Sequence, residues 1–335
     1  DYVYGGEGND TIDSGEGNDF LYGGNGDDTY IFGKNYGTDI INDTEGVSTI
    51  RLADGISLAD LKINAVGENA VIGINDTDDR LIISNFAANP ENYVLQIGDE
   101  KVLIKDNISA EENEFVSGSE NYDYIVNEDK TVIAGGASGD RIIGSDNDEY
   151  IFGDSGDDQL LTGDGNDVVF GGDGSDYING GNGYDVIDAG SGNNFIDGGK
   201  GNDVYIFNPN SGHNTIKDSN GENTIMFGDG FKVDEIKAYR SNWNDLLIRF
   251  DGLEDTLTIK NYCIDENARN FTLVFADGTV VNAADKNSPL RTIYGTDNSD
   301  YMPSIYKDGI TKVGNDGNDQ LVGSDGNDFL YGENG

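Results

Sequence analysis

The chain has 335 residues, with 64 acidic against 20 basic side chains for a formal charge of -44, and 49 glycines. That charge makes nucleic acid and anionic membrane surfaces poor partners, and a compact fold would need a cation to offset its self-repulsion. A hydrophobic content of 36% with 18 tyrosines and 14 phenylalanines is too apolar for a disordered spacer, and no apolar run is long enough to span a membrane.

Residues 1–32 contain GGEGNDTID, SGEGNDFLY and GGNGDDTYI, three nine-residue lines of the form GGxGxD followed by x-U-x, with U a large apolar residue. Glycines at the first, second and fourth places open backbone angles closed to other residues, so the peptide can curl and aim carbonyls at one point. The sixth-place aspartate adds a negative oxygen there. Oxygen-only donors, many of them carbonyls, suit Ca²⁺ before Mg²⁺ or Zn²⁺. The opening residues, DYVYGGEGND, show no charged-then-apolar leader.

Residues 33–117 lose the repeat. Short alternating runs such as LIIS, YVLQI and KVLI read as β-hairpins, and LADLKI as holding a short helix. The repeat returns over 118–207, opening at GSENYDYIV and running unbroken from GGASGDRII to GGKGNDVYI. Residues 208–294 answer 33–117: DVYIF follows DTYIF at an offset of 175, TLTIKNY follows RLIISNF at 176, and Gly295 follows Gly118 at 177. VDEIKAY is a second short-helix candidate, and LLIRF and FTLVF read as strands. Residues 295–335 resume the repeat with GTDNSDYMP, GNDGNDQLV and GSDGNDFLY.

The eighth-place residues Ile12, Leu21, Tyr30, Ile142, Ile151, Leu160, Val169, Ile178, Ile187, Ile196, Tyr205, Leu321 and Leu330 are expected to stack into one internal ladder. A turn and a three-residue strand cannot bury one side chain alone, so the units must stack as a solenoid. Seventh- and ninth-place aromatics, including Tyr2, Tyr4, Phe20, Tyr22, Phe170, Tyr177 and Phe195, are expected to face outward.

The repeats resemble the RTX (repeats-in-toxin) family, and 33–117 and 208–294 resemble its haemolysin-type calcium-binding related domain through Asp39–Asp43, Thr224–Phe231 and Phe275–Thr279. The resemblance implies an all-β fold: parallel β-roll blocks alternating with small β-rich connecting or capping segments, in a tandem unit of about 177 residues. Two nonapeptides would make one turn, with each Ca²⁺ between a loop and the loop two repeats along.

The implied ligands are Asp10, Asp19, Asp28, Asp123, Asp140, Glu149, Asp158, Asp167, Asp176, Asp185, Asp203, Asp300, Asp319 and Asp328. Carbonyls of loop residues such as Gly5, Glu7, Gly23, Asn25, Gly153, Ser155, Gly171, Asp173, Gly180 and Asn182 would complete them. Asn194, uncharged at a sixth place, is expected to weaken the site it shares with Asp176. The family also implies several Ca²⁺ ions, type I secretion machinery as a partner, and an extracellular or cell-surface location.

Catalysis has little to stand on. One histidine and one cysteine exclude most triads and zinc sites, and the regular carboxylate spacing is absorbed by metal ligation. His213, in NSGHNT, reads as a solvated loop residue, and Cys263 as a buried thiol outside any disulfide framework. No proline follows an aspartate, so Asp-Pro self-cleavage is not supported. A non-enzymatic array is therefore expected, within a larger toxin, adhesin or exoenzyme. The alternative is a glycan- or protein-binding module, for which Trp243 and Tyr239 are the first suspects.

Overall fold

The computed structural model describes all residues except 44–45, 99, 109–114, 129, 242–243, 264–268, 286, 297, 303–308 and 335. It is all-β with isolated 3-10 turns. Two compact units arise, one from 1–120 with 130–136, the other from 121–129 with 137–335.

Both units are parallel β-rolls. In the second, strands Arg141–Ile143, Gln159–Leu161, Tyr177–Asn179 and Phe195–Asp197 pair in parallel on one sheet, and Tyr150–Ser155, Val168–Phe170, Val186–Asp188 and Val204–Phe207 on the other. The register is one turn of two nonapeptides: Ile142 faces Leu160, which faces Ile178. Between the sheets Ile142, Ile151, Leu160, Val169, Ile178, Ile187, Ile196 and Tyr205 are buried. Each buried side chain of this size contributes about 1.5–3 kcal/mol, a gain that exists only once neighbouring turns are in place.

The ladder departs from expectation near the C-terminal end. Leu321 is only half-buried and Leu330 is 43% exposed, while Lys312 is 1% exposed at a ladder position facing Ile293 and Leu330. Its Nζ donates to the carbonyls of Met302, at 2.9 Å, and Val322, which lets an amine occupy an apolar place.

The non-repeat stretches extend the sheets as well as forming hairpins. In the first unit Phe20 pairs with Ile40 and Tyr30 with Ile50, a turn of twenty residues rather than eighteen, and strand Arg80–Ile83 adds in parallel to Thr38–Ile41. Antiparallel strands then follow, Asn69–Ile74 with Leu61–Val66 on one sheet and Glu100–Leu103 on the other. In the second unit the hairpin Ile236–Ser241 with Asp245–Phe250 accepts strand Thr292–Tyr294 in parallel. The two helix candidates shrink to single 3-10 turns, Leu58–Asp60 and Val233–Glu235, because the alternating apolar residues after them enter strands.

The aromatics divide. Phe20, Tyr22 and Phe170 are buried, and rings stack one turn apart as Tyr2 on Phe20 at 5.0 Å, Tyr4 on Tyr22 at 4.8 Å and Phe152 on Phe170 at 5.1 Å. Tyr122, Tyr124, Tyr177 and Tyr184 are exposed. His213 is exposed on strand His213–Ile216 rather than in a loop, its Nδ1 3.1 Å from Thr256 Oγ1. Cys263 is buried, and desolvation pushes its thiol up to about 11. Trp243 lies outside the described residues, and Tyr239 is half-buried, tilted against Tyr294 and beneath Arg249.

Candidate metal centre

Sixth-place residues stack in columns, each main-chain N–H donating to the carboxylate one turn along. One column runs from Asp123 to Asp140, Asp158, Asp176 and Asn194, with N–H to Oδ1 distances of 2.7, 2.6, 2.9 and 2.8 Å. A second runs from Glu149 to Asp167, Asp185, Asp203 and Asn223 at 2.9, 2.9, 3.0 and 2.8 Å. Shorter ladders join Asp10 to Asp28, Asp19 to Asp39 and Asp300 to Asp319.

These bonds use one carboxylate oxygen. The other, Oδ2, is buried and accepts no hydrogen bond in Asp10, Asp19, Asp28, Asp140, Asp158, Asp167, Asp176, Asp185, Asp203 and Asp319. A buried anionic oxygen with no donor is costly. Desolvation accordingly pushes Asp158, Asp167 and Asp176 up to about 7, Asp185 up to about 8 and Asp203 up to about 6.

The first-place glycine explains where these oxygens point. A β-carbon on Gly171 would lie 2.5 Å from Ala189 O and 2.6 Å from Asp176 Oδ2, and one on Gly5 would lie 2.5 Å from Gly23 O and 2.9 Å from Asp10 Oδ2. Gly153, beside Gly171 O and Asp158 Oδ2, and Gly180, beside Gly198 O and Asp185 Oδ2, repeat the arrangement. These glycines keep φ outside the left-handed region, so they are needed for space rather than for the backbone angle expected of them. Positive φ belongs to the second and fourth places, as at Gly172 (98°) and Gly174 (145°).

The third-place carbonyls of Asn25, Asp173 and Asn182 accept ladder N–H groups of Gly8, Gly156 and Gly165 at 2.8, 2.7 and 3.0 Å, with Glu7 and Ser155 in register beneath the first two. Gly180 O also takes the Thr162 hydroxyl. Second- and fourth-place carbonyls face the glycines one turn along, Asp154 O toward Gly172 and Gly156 O toward Gly174, and Asp154 O also accepts the ladder N–H of Asp173 at 2.9 Å.

Not every sixth-place carboxylate is open. In three loops with Ser or Thr at the second place, that residue turns back on it. Ser145 N and Oγ donate to Glu149, Thr296 N and Oγ1 to Asp300 Oδ2 at 2.6 and 3.0 Å, and Ser324 N and Oγ to Asp328, both at 2.7 Å. Glu149 also accepts from Asn127 Nδ2 at 3.0 Å. The signal was legible as GSDNDE, GTDNSD and GSDGND. Asn194 places Nδ2 3.1 Å from Ala189 O, so an amide donor occupies a carbonyl that also faces Asp176.

Among the described residues no three His, Cys, Asp or Glu side chains converge as a metal site. A cation here would take one carboxylate oxygen from a loop and its remaining ligands from the backbone, which favours a hard ion of flexible coordination. The buried open oxygens and their carbonyl-lined clefts fit Ca²⁺.

A family model for the RTX calcium-binding nonapeptide repeat (4 copies) matches residues 1–33, 127–160, 152–187, 170–205 and 313–335. The chain carries RTX calcium-binding repeats. A second model, the haemolysin-type calcium binding protein related domain, matches 245–285, within the second non-repeat stretch of the chain. No curated protein matches. Among solved structures, the crystal structure of extracellular lipase LipA from Serratia marcescens is similar, at 16% identity and a TM-score of 0.34. The match covers 81% of this chain but 40% of that one. Among the described residues no helix is long and apolar enough to cross a membrane.

Proposed function

We propose that this RTX chain is a calcium-dependent folding array within a larger exported protein, alternating roll blocks with connecting segments that extend and join them. The observation carrying this reading is the row of buried Oδ2 atoms without a donor. Asp158, Asp167, Asp176 and Asp185 would hold the ions with the first-place carbonyls beside them and further backbone carbonyls of their own and neighbouring loops, and Asp10, Asp28, Asp140, Asp203 and Asp319 likewise. Bound Ca²⁺ supplies the positive charge that these oxygens lack.

Without that charge the carboxylates resist burial, and three-residue strands gain too little to offset chain entropy. Ion binding and folding then become one equilibrium. A chain that stays unfolded where Ca²⁺ is scarce and folds where it is millimolar suits export as an extended polymer. Type I secretion, an extracellular location and a toxin, adhesin or exoenzyme parent follow from that reading, with no turnover by this segment itself. The test is far-ultraviolet circular dichroism during a Ca²⁺ titration with Mg²⁺ as control. A cooperative gain of β signal with Ca²⁺ alone supports the proposal, and a complete β spectrum in chelator contradicts it.

A second reading, a glycan- or protein-binding face, is favoured by one row. Tyr124, Arg141, Gln159, Tyr177 and Phe195 occupy successive register positions on one sheet, with Tyr124 58% exposed and the Arg141 guanidinium 5.7 Å from its ring centre. Binding to a glycan array that Tyr177→Ala abolishes, without change in the Ca²⁺ response, would establish it.

A further inference from the structure

The last repeat loop before each non-repeat stretch differs from the loops within a block. At Gly171 or Gly180 the cleft is closed by a carbonyl from the loop one turn along. At Gly23 and Gly198 no such carbonyl appears among the three nearest atoms. A β-carbon on Gly23 would meet Asp28 Oδ2, the Tyr30 hydroxyl and, at 2.8 Å, Asp43 Oδ2. On Gly198 it would meet the Tyr205 hydroxyl, Asp203 Oδ2 at 2.6 Å and Asp218 Oδ2 at 2.9 Å. Two copies of the unit, 175 residues apart, thus bring the same three groups to the same point.

The groups are buried and held in place. Asp28 and Asp203 are 1% and 0% exposed, and each keeps an Oδ2 that accepts no hydrogen bond and is aimed into this cleft. Asp43 Oδ2 accepts Tyr30 Oη–H at 2.8 Å and Ser48 Oγ–H at 2.7 Å, while Asp218 Oδ2 accepts Tyr205 Oη–H at 2.5 Å and Asn223 Nδ2–H at 2.7 Å. The tyrosine proton is directed at the incoming carboxylate, so the hydroxyl keeps lone pairs for the cleft. Neither Asp43 nor Asp218 belongs to a nonapeptide; Asp43 ends D-I-I-N-D and Asp218 ends N-T-I-K-D in the connecting stretch.

We propose that each roll block ends in a cation site of its own kind, in which Asp43 joins Asp28 and Tyr30, and Asp218 joins Asp203 and Tyr205, around one divalent ion. Two carboxylates and a neutral oxygen replace the single carboxylate and carbonyls of a loop-to-loop site. Higher ligand charge makes these the tighter sites for Ca²⁺. The connecting stretch thereby docks onto the roll through the ion, and its strands Thr38–Ile41 and Ser48–Leu52, or His213–Ile216 and Asn223–Phe227, extend both sheets from a fixed point.

The inference rests on the calcium-binding reading of the repeats, and its test separates the two. Bound Ca²⁺ is counted by native mass spectrometry of the full chain, and affinities are read by calorimetry, for wild type, Asp43→Asn, Asp218→Asn and the double variant. Wild type binding no Ca²⁺ defeats the general reading. Loss of one ion from each single variant and two from the double, drawn from the tightest class, is the expected result. An unchanged ion count and affinity in the double variant would overturn the inference, leaving the loop-to-loop sites intact. Should the Asn variants not fold, Tyr30→Phe and Tyr205→Phe keep the buried ring and remove only the hydroxyl. Each is expected to weaken one tight ion about tenfold or more, and wild-type affinities in both would equally overturn it.

Discussion

Residues 135–205 and residues 292–331 carry the same nonapeptide and differ in what it becomes. In the first stretch every ladder position is buried, and all sixth-place aspartates from Asp140 to Asp203 present an open Oδ2, with Glu149 and Asn194 as the two exceptions. In the second, Lys312 replaces an apolar ladder residue, Leu330 is exposed, and Asp300 and Asp328 are taken by Thr296 and Ser324. The motif's sixth place therefore supplies a carboxylate, but the second place decides whether that carboxylate is available.

The largest contrast should come from pH in chelator. Carboxyls held at about 7 to 8 in the fold, against about 4 in an unfolded chain, stabilise the ion-free roll fully below pH 4 and lose that contribution as pH rises toward 8. Asp328 is shifted the opposite way by its Ser324 hydrogen bonds. Circular dichroism of the chelated chain should show more β signal at pH 4.5 than at 7.5, with hydrogen exchange assigning the gain to 135–205. Equal signal at both values would break the contrast.

Next is the cleft itself. Gly171→Ala places a methyl among oxygens and should lower stability in Ca²⁺ by about 3 kcal/mol with loss of an ion, whereas Gly332→Ala, with nothing near it, should stay within about 0.5 kcal/mol. Urea unfolding of both variants gives the comparison directly.

A smaller effect is expected at Lys312, whose amine burial pushes down to about 8. A lowered folded value means that stability rises between pH 8 and about 10.5 and is lost again as pH falls through 8. Lys312→Met should flatten that rise and add about 1 kcal/mol at neutral pH, read from thermal unfolding across pH. The smallest is Ser324→Gly, which removes the hydroxyl donor to Asp328 Oδ1, keeps the main-chain N–H donor to Oδ2, and should tighten Ca²⁺ binding by the C-terminal turns a few-fold in calorimetry; unchanged binding would mean that second-place hydroxyls do not control access.

Much of this was legible in the sequence because period and chemistry coincide. The GGxGxD spacing gives the loops, and the eighth-place residues give the roll interior. The hidden parts depend on packing between turns. Nothing in the repeat's own nine positions says that the first glycine is kept clear for an oxygen of the same loop, or that Asp39 and Asn223, twenty residues beyond Asp19 and Asp203, continue their columns. LIIS and FTLVF read as hairpin strands because alternation reports a half-buried strand but not its partner; in the fold both also pair in parallel with the roll. Lys312 is hidden in the sequence because its place in the ladder is set by Ile293 and Leu330, across a stretch where the nonapeptide phase is lost.

The most direct test is hydrogen exchange of the whole chain, read peptide by peptide, in Ca²⁺ and in chelator at pH 7.5. If the ion holds the columns together, amides of the loops from Gly135 to Asp203, including the column N–H groups of Asp158, Asp167, Asp176 and Asp185, are protected only in Ca²⁺. Protection of those same amides in chelator would show that the columns hold without the ion, and would contradict calcium-dependent folding.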